Sequence, residues 1–371
     1  MNTVIKTTAK QLPCDGKRLT SLRTLLATTE ADAFFLHTVP SVRYYSNFTG
    51  DSAYLLVEAN QVTFFTDGRY ITQAASEIPT DFALTEINAF ADVGNFLAAR
   101  NIKAVGVEEH TFSLAREQEF KKALPPLKII FCQKQITTPR RQKDEQELAI
   151  IRQAIAIAEQ GFSKAVTLIK PGIREMDIAL ELEYQMKQLG AERAAFDLIV
   201  ASGFRSALPH GVASTKPIAP GDVITIDFGA CYQGYHSDQT CTLFLGEPSK
   251  QQKQVYQTLL QAQQAGITAA RPEMAAKELD RIVREMVQQA GYGDYFAHGT
   301  GHGTGLEIHE APSISARSDQ TLAAGMVFTI EPGCYFPHQW GIRLEEMVHL
   351  TGQGGQVMTT LDKRLDAAII E

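Results

Sequence analysis

Residues 223–246 read VITIDFGACYQGYHSDQTCTLFLG, two apolar segments joined by a short polar turn that contains Gly234. Apolar segments on either side of such a turn predict adjacent antiparallel strands. Asp227 lies in the first segment and Asp238 just before the second, so we expect the two carboxylates to converge. Because like charges held together in a sheet are costly, the pair predicts a metal ion or a shared proton, unless both aspartates are solvated at strand ends.

Farther along the chain, a glycine-rich segment, HGTGHGTG, carries His298 and His302 four positions apart. We expect a turn whose glycines let the backbone approach closely while the imidazoles reach into a cleft. The glycine spacing fits neither G-x-G-x-x-G nor a G-K-[ST] phosphate loop, which argues against nucleotide binding. His309 follows in IHEAP without completing H-E-x-x-H. Taken singly, each histidine is more often an ordinary hydrogen-bonded residue than a ligand.

Two glutamates complete the candidate ligands. Glu331 lies in FTIEPG and Glu345 in GIRLEE, each within or just after an apolar, strand-like stretch. Burying either carboxylate without a partner would be costly. For Glu331 an exposed strand end is the alternative, because Pro332 and Gly333 follow it and indicate a turn.

The candidates are specific as a set. They offer four carboxylates and one imidazole, at Asp227, Asp238, His302, Glu331 and Glu345. The successive segments DFG, SDxT, GHGxG, TIEPG and GIRLEE resemble those of the pita-bread metallopeptidases. In the N-terminal part, SVRYYSNFTG and FTDGRY resemble the creatinase-type domain that precedes the catalytic domain in aminopeptidase P and prolidase. Methionine aminopeptidase lacks that domain and creatinase lacks the metal ligands, so the resemblance, which covers almost the whole chain, favours the aminopeptidase P and prolidase branch.

The pattern along the chain agrees with two domains. Helical and strand-like segments alternate up to about residue 127, with a hairpin predicted in YLLVEANQVTFFTD. The charge-rich segment ITTPRRQKDEQE then precedes a helix predicted to end at Lys170-Pro171-Gly172. With the resemblance, this predicts an α/β creatinase-like domain over residues 1–138 and an α+β pita-bread catalytic domain over residues 139–371. In the second domain a helix pair and a group of strands occur twice, which predicts pseudo-twofold halves.

The resemblance implies a role for each ligand. Asp227 would chelate one metal ion, Asp238 and Glu345 would bridge two, and His302 with Glu331 would hold the second. Four carboxylates balance two divalent cations, and a water between the cations would lose a proton near neutral pH and act as nucleophile. Oxygen-rich ligation favours manganese, with cobalt or iron as alternatives.

The same resemblance implies residues around these ligands, namely His210, His298, His309 and Arg343. His210 and His309 would hold the substrate carbonyl and the tetrahedral oxyanion, and Arg343 would orient ligands or substrate. Glu331 would also carry a proton to the leaving proline nitrogen.

One position departs from the family pattern. The family often has DxTRT after the second aspartate, whereas this chain has Cys241 in place of the arginine. A cysteine supplies neither the charge nor the fork of donors, so an ion pair near the site is lost or replaced. Cys241 has no base arranged for it in the sequence, which argues against a nucleophilic role.

Composition and the lack of targeting segments limit the binding partners and the cellular compartment that we expect. The net charge of −7 argues against nucleic acid as a partner. The N-terminus lacks a secretory h-region and no segment reaches the length of a membrane span, so we expect a cytoplasmic protein with no membrane partner. The five cysteines, Cys14 among them, show no CxxC pair and are expected to be reduced. A homodimer or higher homo-oligomer is expected from the resemblance alone.

These observations predict a Xaa-Pro aminopeptidase, which releases the first residue of peptides with proline in second position. The alternative is a Xaa-Pro dipeptidase, or prolidase. A remote alternative is a catalytically inactive binding module with the same fold, against which the intact ligand set argues.

Overall fold

The computed structural model describes residues 16–123 and 126–370. The chain forms two compact units that divide between Arg140 and Arg141, within a 3-10 turn, Thr138–Arg141. The sequence-based boundary after residue 138 lies in the same turn. No helix in the described ranges is both long and apolar enough to cross a lipid bilayer. Cys14 lies outside the described residues, and the other four cysteines are buried.

The first unit is an α/β domain around one mixed sheet of strand order β4-β3-β2-β1-β5-β6. Its helices are α1 (Gly16–Leu26), α2 (Val39–Ser46), α3 (Ile71–Glu77), α4 (Phe90–Ala99), α5 (Leu114–Ala123) and α6 (Gln133–Thr137). Its strands are β1 (Ala33–Leu36), β2 (Ala53–Glu58), β3 (Val62–Thr66), β4 (Ala83–Glu86), β5 (Ala104–Val107) and β6 (Lys128–Phe131). The predicted hairpin is confirmed, because β2 and β3 pair antiparallel.

The second unit is α+β. Its helices are α7 (Glu145–Ala165), α8 (Glu175–Gln188), α9 (Lys250–Ala269) and α10 (Ala276–Gln289), with 3-10 turns Val166–Leu168, Gly203–Ala207, Gly293–Tyr295 and Leu365–Ala368. Its strands are β7 (Arg193–Ala194), β8 (Ile199–Ser202), β9 (Val223–Phe228), β10 (Ala230–Tyr232), β11 (Tyr235–His236), β12 (Gln239–Leu245), β13 (Gly301–Gly303), β14 (Glu310–Ile314), β15 (Val327–Ile330), β16 (Gly333–Phe336), β17 (Trp340–Arg343), β18 (Glu346–Thr351), β19 (Gly354–Val357) and β20 (Ile369–Ile370). The main sheets have the orders β20-β12-β9-β8 and β14-β13-β15-β18-β19.

Helix α7 begins at Glu145, inside the charge-rich segment, and ends before the predicted stop. The Asp144 side chain accepts hydrogen bonds from the backbone N–H groups of Gln146 and Glu147, a cap that starts the helix. The α-helix ends at Ala165 and tightens into a 3-10 turn before the predicted stop at Lys170-Pro171-Gly172. Tightening of a last helical turn in this way satisfies carbonyls that have no partner farther along the chain.

The two helix pairs of the second unit pack alike. A Cβ atom added to Gly161 on α7 would lie 2.9 Å from Met186 Cγ on α8, and one added to Gly266 on α9 would lie 2.6 Å from Val283 Cγ2 on α10. In each pair a glycine therefore lets the two backbones approach closely. The predicted repeat of helix pair and strands is present, and both halves share one apolar core that includes Leu182, Val283 and Ile330.

Candidate metal centre

Each half of the second unit brings two carboxylates to one place. In the first half Asp227 lies on β9 opposite Thr240, and Asp238 immediately precedes β12. Asp238 is two positions before Thr240, so both side chains lie on the side of the sheet that carries Asp227. In the second half Glu331 follows β15 and Glu345 immediately precedes β18. The antiparallel pairing expected from the sequence is therefore present, and the second half repeats it.

A cluster of ligand-type atoms lies between the halves of this unit. One ligand atom from each of Asp238, His302 and Glu345 lies within 4.8 Å of the other two. His302 Nε2 lies 3.4 Å from Asp238 Oδ2 and 3.5 Å from Glu331 Oε1. Asp227 lines the same pocket. The structure thus brings together all five residues that the sequence proposes as ligands.

Arg343 links Asp227, Thr240 and Glu345 by hydrogen bonds. Its Nη2 donates to Asp227 Oδ2 at 2.7 Å and its Nε donates to Thr240 Oγ1 at 3.0 Å. Thr240 Oγ1 in turn donates to Glu345 Oε2 at 2.7 Å. Asp227 Oδ1 is buried and has no hydrogen-bond partner. Arg343 therefore fixes one oxygen of Asp227 and leaves the other available to a cation.

Tyr335 extends this network, and the sequence reasoning missed it. Arg343 Nη1 donates to the Tyr335 hydroxyl at 2.8 Å, and the same hydroxyl lies 2.9 Å from His298 Nε2. Tyr335 is on β16, which begins two residues after Glu331. A tyrosine in an apolar strand needs a partner for its hydroxyl, and that was the signal available in the sequence.

The carboxylates repel one another at close range. Burial first, and then the charge of Glu345, raise the pKa of Asp238 well above its ordinary value. Burial and the charge of Glu331 raise the pKa of Glu345 in the same way, and burial raises the pKa of Glu331 to about 8. In the absence of a cation the cluster therefore holds protons, and divalent cations would take their place.

The histidines of the site have the opposite shift. Burial lowers the pKa of His302 and of His298 to about 4, and it also lowers the pKa of His309. Each imidazole is therefore neutral near pH 7, which is the form that binds metal ions. The rings of His302 and His309 meet edge to face with centroids 4.3 Å apart.

The structure corrects the local conformation expected for His302. The sequence suggests a glycine-rich turn, but His302 lies on β13, between β14 and β15. The neighbouring glycines are needed there, because a Cβ atom on Gly301 would lie 2.0 Å from Thr329 O and one on Gly303 would lie 2.4 Å from Ala311 O. The glycines let three backbones approach closely, as expected, but they do so within a sheet.

The cluster lines a pocket of about 480 Å³. His210, His298, His309 and Arg343, the residues predicted around the ligands, all line it. Apolar side chains cover another part of its wall, at Phe196, Ile199, Pro209, Val212 and Ile308. A concave site with an apolar wall and a few convergent polar groups is typical of a small-ligand site.

The segment that carries His210 is anchored by a buried residue that sequence reasoning also missed. Glu175, at the start of α8, is fully buried. Its Oε1 accepts from the Ser202 backbone N–H at 2.7 Å, and its Oε2 accepts from Arg205 Nε at 2.9 Å and from Ser214 Oγ at 2.6 Å. One carboxylate thus fastens both ends of the 202–214 segment.

The other three histidines of the second unit and Cys241 do not line this pocket. His236 is buried, and its Nδ1 lies 3.0 Å from Gly305 O. Neither His338 nor His349 lines the pocket among the described residues. Burial raises the pKa of the Cys241 thiol to about 12, which agrees with the argument against a nucleophile at this position.

Comparisons with known proteins match both units. A sequence profile described as metallopeptidase family M24 matches residues 149–352, and one described as the creatinase/prolidase N-terminal domain matches residues 18–141. A Xaa-Pro dipeptidase of Pyrococcus furiosus is 38% identical over 350 residues, which cover 94% of this chain and 99% of that protein.

Two solved structures are similar along almost the whole chain. The Xaa-Pro dipeptidase from Bacillus anthracis has a TM-score of 0.91 and 37% identity, with 95% of this chain and 99% of the other covered. The X-Pro aminopeptidase from Thermotoga maritima has a TM-score of 0.87 and 39% identity, with the same shares of 95% and 99% covered.

Proposed function

The chain belongs to metallopeptidase family M24, and from this premise we propose that it hydrolyses the peptide bond that precedes a proline, with Xaa-Pro dipeptides as the first substrate class. The predicted family resemblance and fold class are confirmed. The observation that carries the proposal is the convergence of Asp238, His302 and Glu345 in the lining of one pocket. Support for dipeptides comes from the relatives named Xaa-Pro dipeptidase, which favour the alternative over the aminopeptidase expected first.

The residues present fit a pair of divalent cations. Asp227 Oδ1 is buried and has no hydrogen-bond partner, and burial together with neighbouring carboxylates raises the pKa of Asp238 well above its ordinary value. Asp227, Asp238, His302, Glu331 and Glu345 would hold the ions, and their oxygen-rich set favours manganese. When bound, the two cations would supply Lewis-acid activation of water and of the substrate carbonyl.

The chain's own residues would position the substrate and move the proton. His210 and His309 line the pocket and would hold the carbonyl oxygen as negative charge develops on it. When the bond between the carbonyl carbon and the proline nitrogen breaks, the departing ring nitrogen must gain a proton. Glu331, whose Oε1 lies 3.5 Å from His302 Nε2, would carry that proton.

The apolar wall provides a reason for preferring proline. Phe196, Pro209, Val212 and Ile308 line the pocket together with the polar cluster. An apolar wall can contact a pyrrolidine ring without a hydrogen bond from the substrate N–H. A site that depends on that hydrogen bond would bind proline poorly. This apolar lining supports the proposed preference for proline.

A specific observation favours a second candidate, Xaa-Pro aminopeptidase. A dipeptidase must bind the carboxylate of the proline, and Arg343 is the only arginine or lysine among the described residues that line the pocket. Its side chain is 4% exposed, and its donors are engaged by Asp227, Thr240, Tyr335 and a backbone oxygen. No other arginine or lysine among the described lining residues remains for a free carboxylate, a situation that suits a continuing peptide chain better.

One pair of substrates separates the two candidates. Manganese-loaded protein is given Xaa-Pro and Xaa-Pro-Yaa-Zaa with the same first residue, and kcat/KM is measured for each. Faster cleavage of the dipeptide supports the first candidate, and faster cleavage of the longer peptide supports the second. A metal-loaded protein that cleaves neither peptide would instead agree with an inactive binding module.

The assembly is a separate proposal. We propose a homodimer, on the basis of the family and of two large apolar side chains exposed on the segment that carries His210. Phe204 and Leu208 are 59% and 49% exposed there. Light scattering on the purified protein tests the proposal: a mass of two chains is expected, and a fully active monomer would contradict it.

A further inference from the structure

The missing arginine at position 241 leaves a place in the fold that needs a cation. Side chains alternate along β12, so Cys241 lies on the same face as Gln239 and opposite to Thr240, which points toward the ligands. Burial keeps the Cys241 thiol protonated, so this position contributes no charge. Glu346, whose side chain is 12% exposed, nevertheless directly follows the ligand Glu345. A buried carboxylate in that place requires a partner.

Lys363 supplies the cation from the C-terminal segment. Its side chain is 4% exposed, and its Nζ lies 3.0 Å from Glu346 Oε1. The same Nζ donates to the backbone oxygen of Glu345 at 2.5 Å. With the Gln239 amide oriented so that its oxygen faces the lysine, that oxygen accepts from Nζ at 2.9 Å. The three donors of one ammonium group are therefore all used.

These three acceptors adjoin two predicted metal ligands. Glu345 is itself a ligand, and Gln239 directly follows Asp238. The Gln239 amide nitrogen donates to Glu159 Oε1 at 3.2 Å in the same orientation. Lys363 thus binds the backbone oxygen of one predicted ligand, Glu345, and the side chain of the residue that follows another, Asp238.

We propose that Lys363 is a positioning residue of the metal centre. It replaces the arginine that is absent at position 241, although it lies elsewhere in the sequence. It neutralises Glu346 and fixes the segment that carries Glu345. The inference rests on the proposed metallopeptidase function, because it assigns this role only if the cluster binds metal.

A merely structural lysine would behave differently from a positioning one. If Lys363 only attached the C-terminal segment, its removal would lower folding stability and leave the affinity of the folded site for metal unchanged. If it positions the ligands, metal affinity must fall, and a cation restored at position 241 must recover it. Residues that orient ligands from behind typically change metal affinity by about 10–100-fold.

The experiment measures manganese binding directly, by calorimetric titration of chelator-stripped protein, beside the visible spectrum of the cobalt-loaded form. The variants are Lys363→Met, Lys363→Gln, Lys363→Arg and the double variant Cys241→Arg/Lys363→Met. Lys143→Met is the matched control, because Lys143 is also buried and its Nζ lies 2.5 Å from a carboxylate, that of Glu310. Its partner is not adjacent in sequence to a predicted metal ligand.

We expect Lys363→Met and Lys363→Gln to weaken manganese binding by about 10–100-fold and to change the cobalt spectrum. Lys363→Arg and the double variant should bind within about threefold of the wild type, and the control should do the same. Lys363→Gln keeps hydrogen-bond donors. It therefore tests the proposal if Lys363→Met does not fold.

Wild-type affinity in Lys363→Met or Lys363→Gln would overturn the proposal, and so would a folded double variant that binds as weakly as Lys363→Met. A wild-type protein that binds no manganese would instead overturn the proposed function. The two failures are therefore distinguishable.

Discussion

Replacement of Glu331 by glutamine should change how the stability of the metal-free protein depends on pH. Burial raises the pKa of Glu331 to about 8 in the folded protein, from an ordinary value of 4.5. Between these values the folded protein holds a proton that the unfolded chain has released. The stabilisation this proton provides is fully present below pH 4.5 and is lost as the pH rises through about 8.

The magnitude follows from the size of the shift. One pKa unit corresponds to about 1.36 kcal/mol, so Glu331 loses about 2 kcal/mol of stabilisation between about pH 6.5 and 8.5. Glutamine has no proton to lose there. The free energy of unfolding of Glu331→Gln, relative to wild type, should therefore rise by about 2 kcal/mol across this range. Buried histidines such as His298 have lowered pKa values and act in the opposite sense, but both proteins contain them and their contributions cancel.

The only tryptophan makes the assay specific for the second unit. Trp340 lies on β17 and its ring is tilted by 40° against that of Phe336, with ring centroids 4.3 Å apart. Urea unfolding of chelator-treated protein, followed by tryptophan fluorescence at several pH values, gives the stability of this unit for each variant. Parallel pH curves for wild type and Glu331→Gln, or a difference that shrinks with rising pH, would refute the reasoning. Manganese-loaded wild type should show a weaker dependence, because bound cations keep the carboxylates ionised.

Further predictions concern turnover. His210→Ala and His309→Ala should each keep manganese affinity and lose about 10²–10³-fold in kcat, the scale of removing one oxyanion donor. Loss of manganese binding in calorimetric titration would show that these histidines are ligands. An unchanged kcat would contradict their proposed role. Arg343→Lys should lower kcat/KM by about 10–100-fold, because one ammonium group cannot reach Asp227, Thr240 and Tyr335 together. Full activity in a peptide assay would show that the guanidinium group is not required.

The ligand cluster could be anticipated because its signals are local. Asp227 and Asp238 flank a turn between apolar segments, and period-two alternation places their side chains on one face. The same pattern does not show that Glu331 and Glu345 repeat the arrangement in the second half. That repeat rests on element order in the sequence, and its geometry is visible only in the sheets.

The supporting residues could not be anticipated, because their partners are remote in sequence. Glu175 binds Ser214, and Lys363 binds Gln239, across distances that no periodicity encodes. His302 was expected in a turn because glycines usually indicate one. In the structure, glycines 301 and 303 instead make room for neighbouring strands. Local rules fail here because the reason for the glycines is a tertiary contact.

The most direct test of the account is the ratio of kcat/KM for proline and alanine in second position, in otherwise identical peptides, with manganese-loaded protein. Asp238→Asn, which removes one carboxylate from the ligand cluster, is the control for metal dependence. We expect the proline peptide to be cleaved far faster than the alanine peptide and the variant to cleave neither. Equal rates for proline and alanine peptides, or undiminished cleavage by Asp238→Asn, would contradict it.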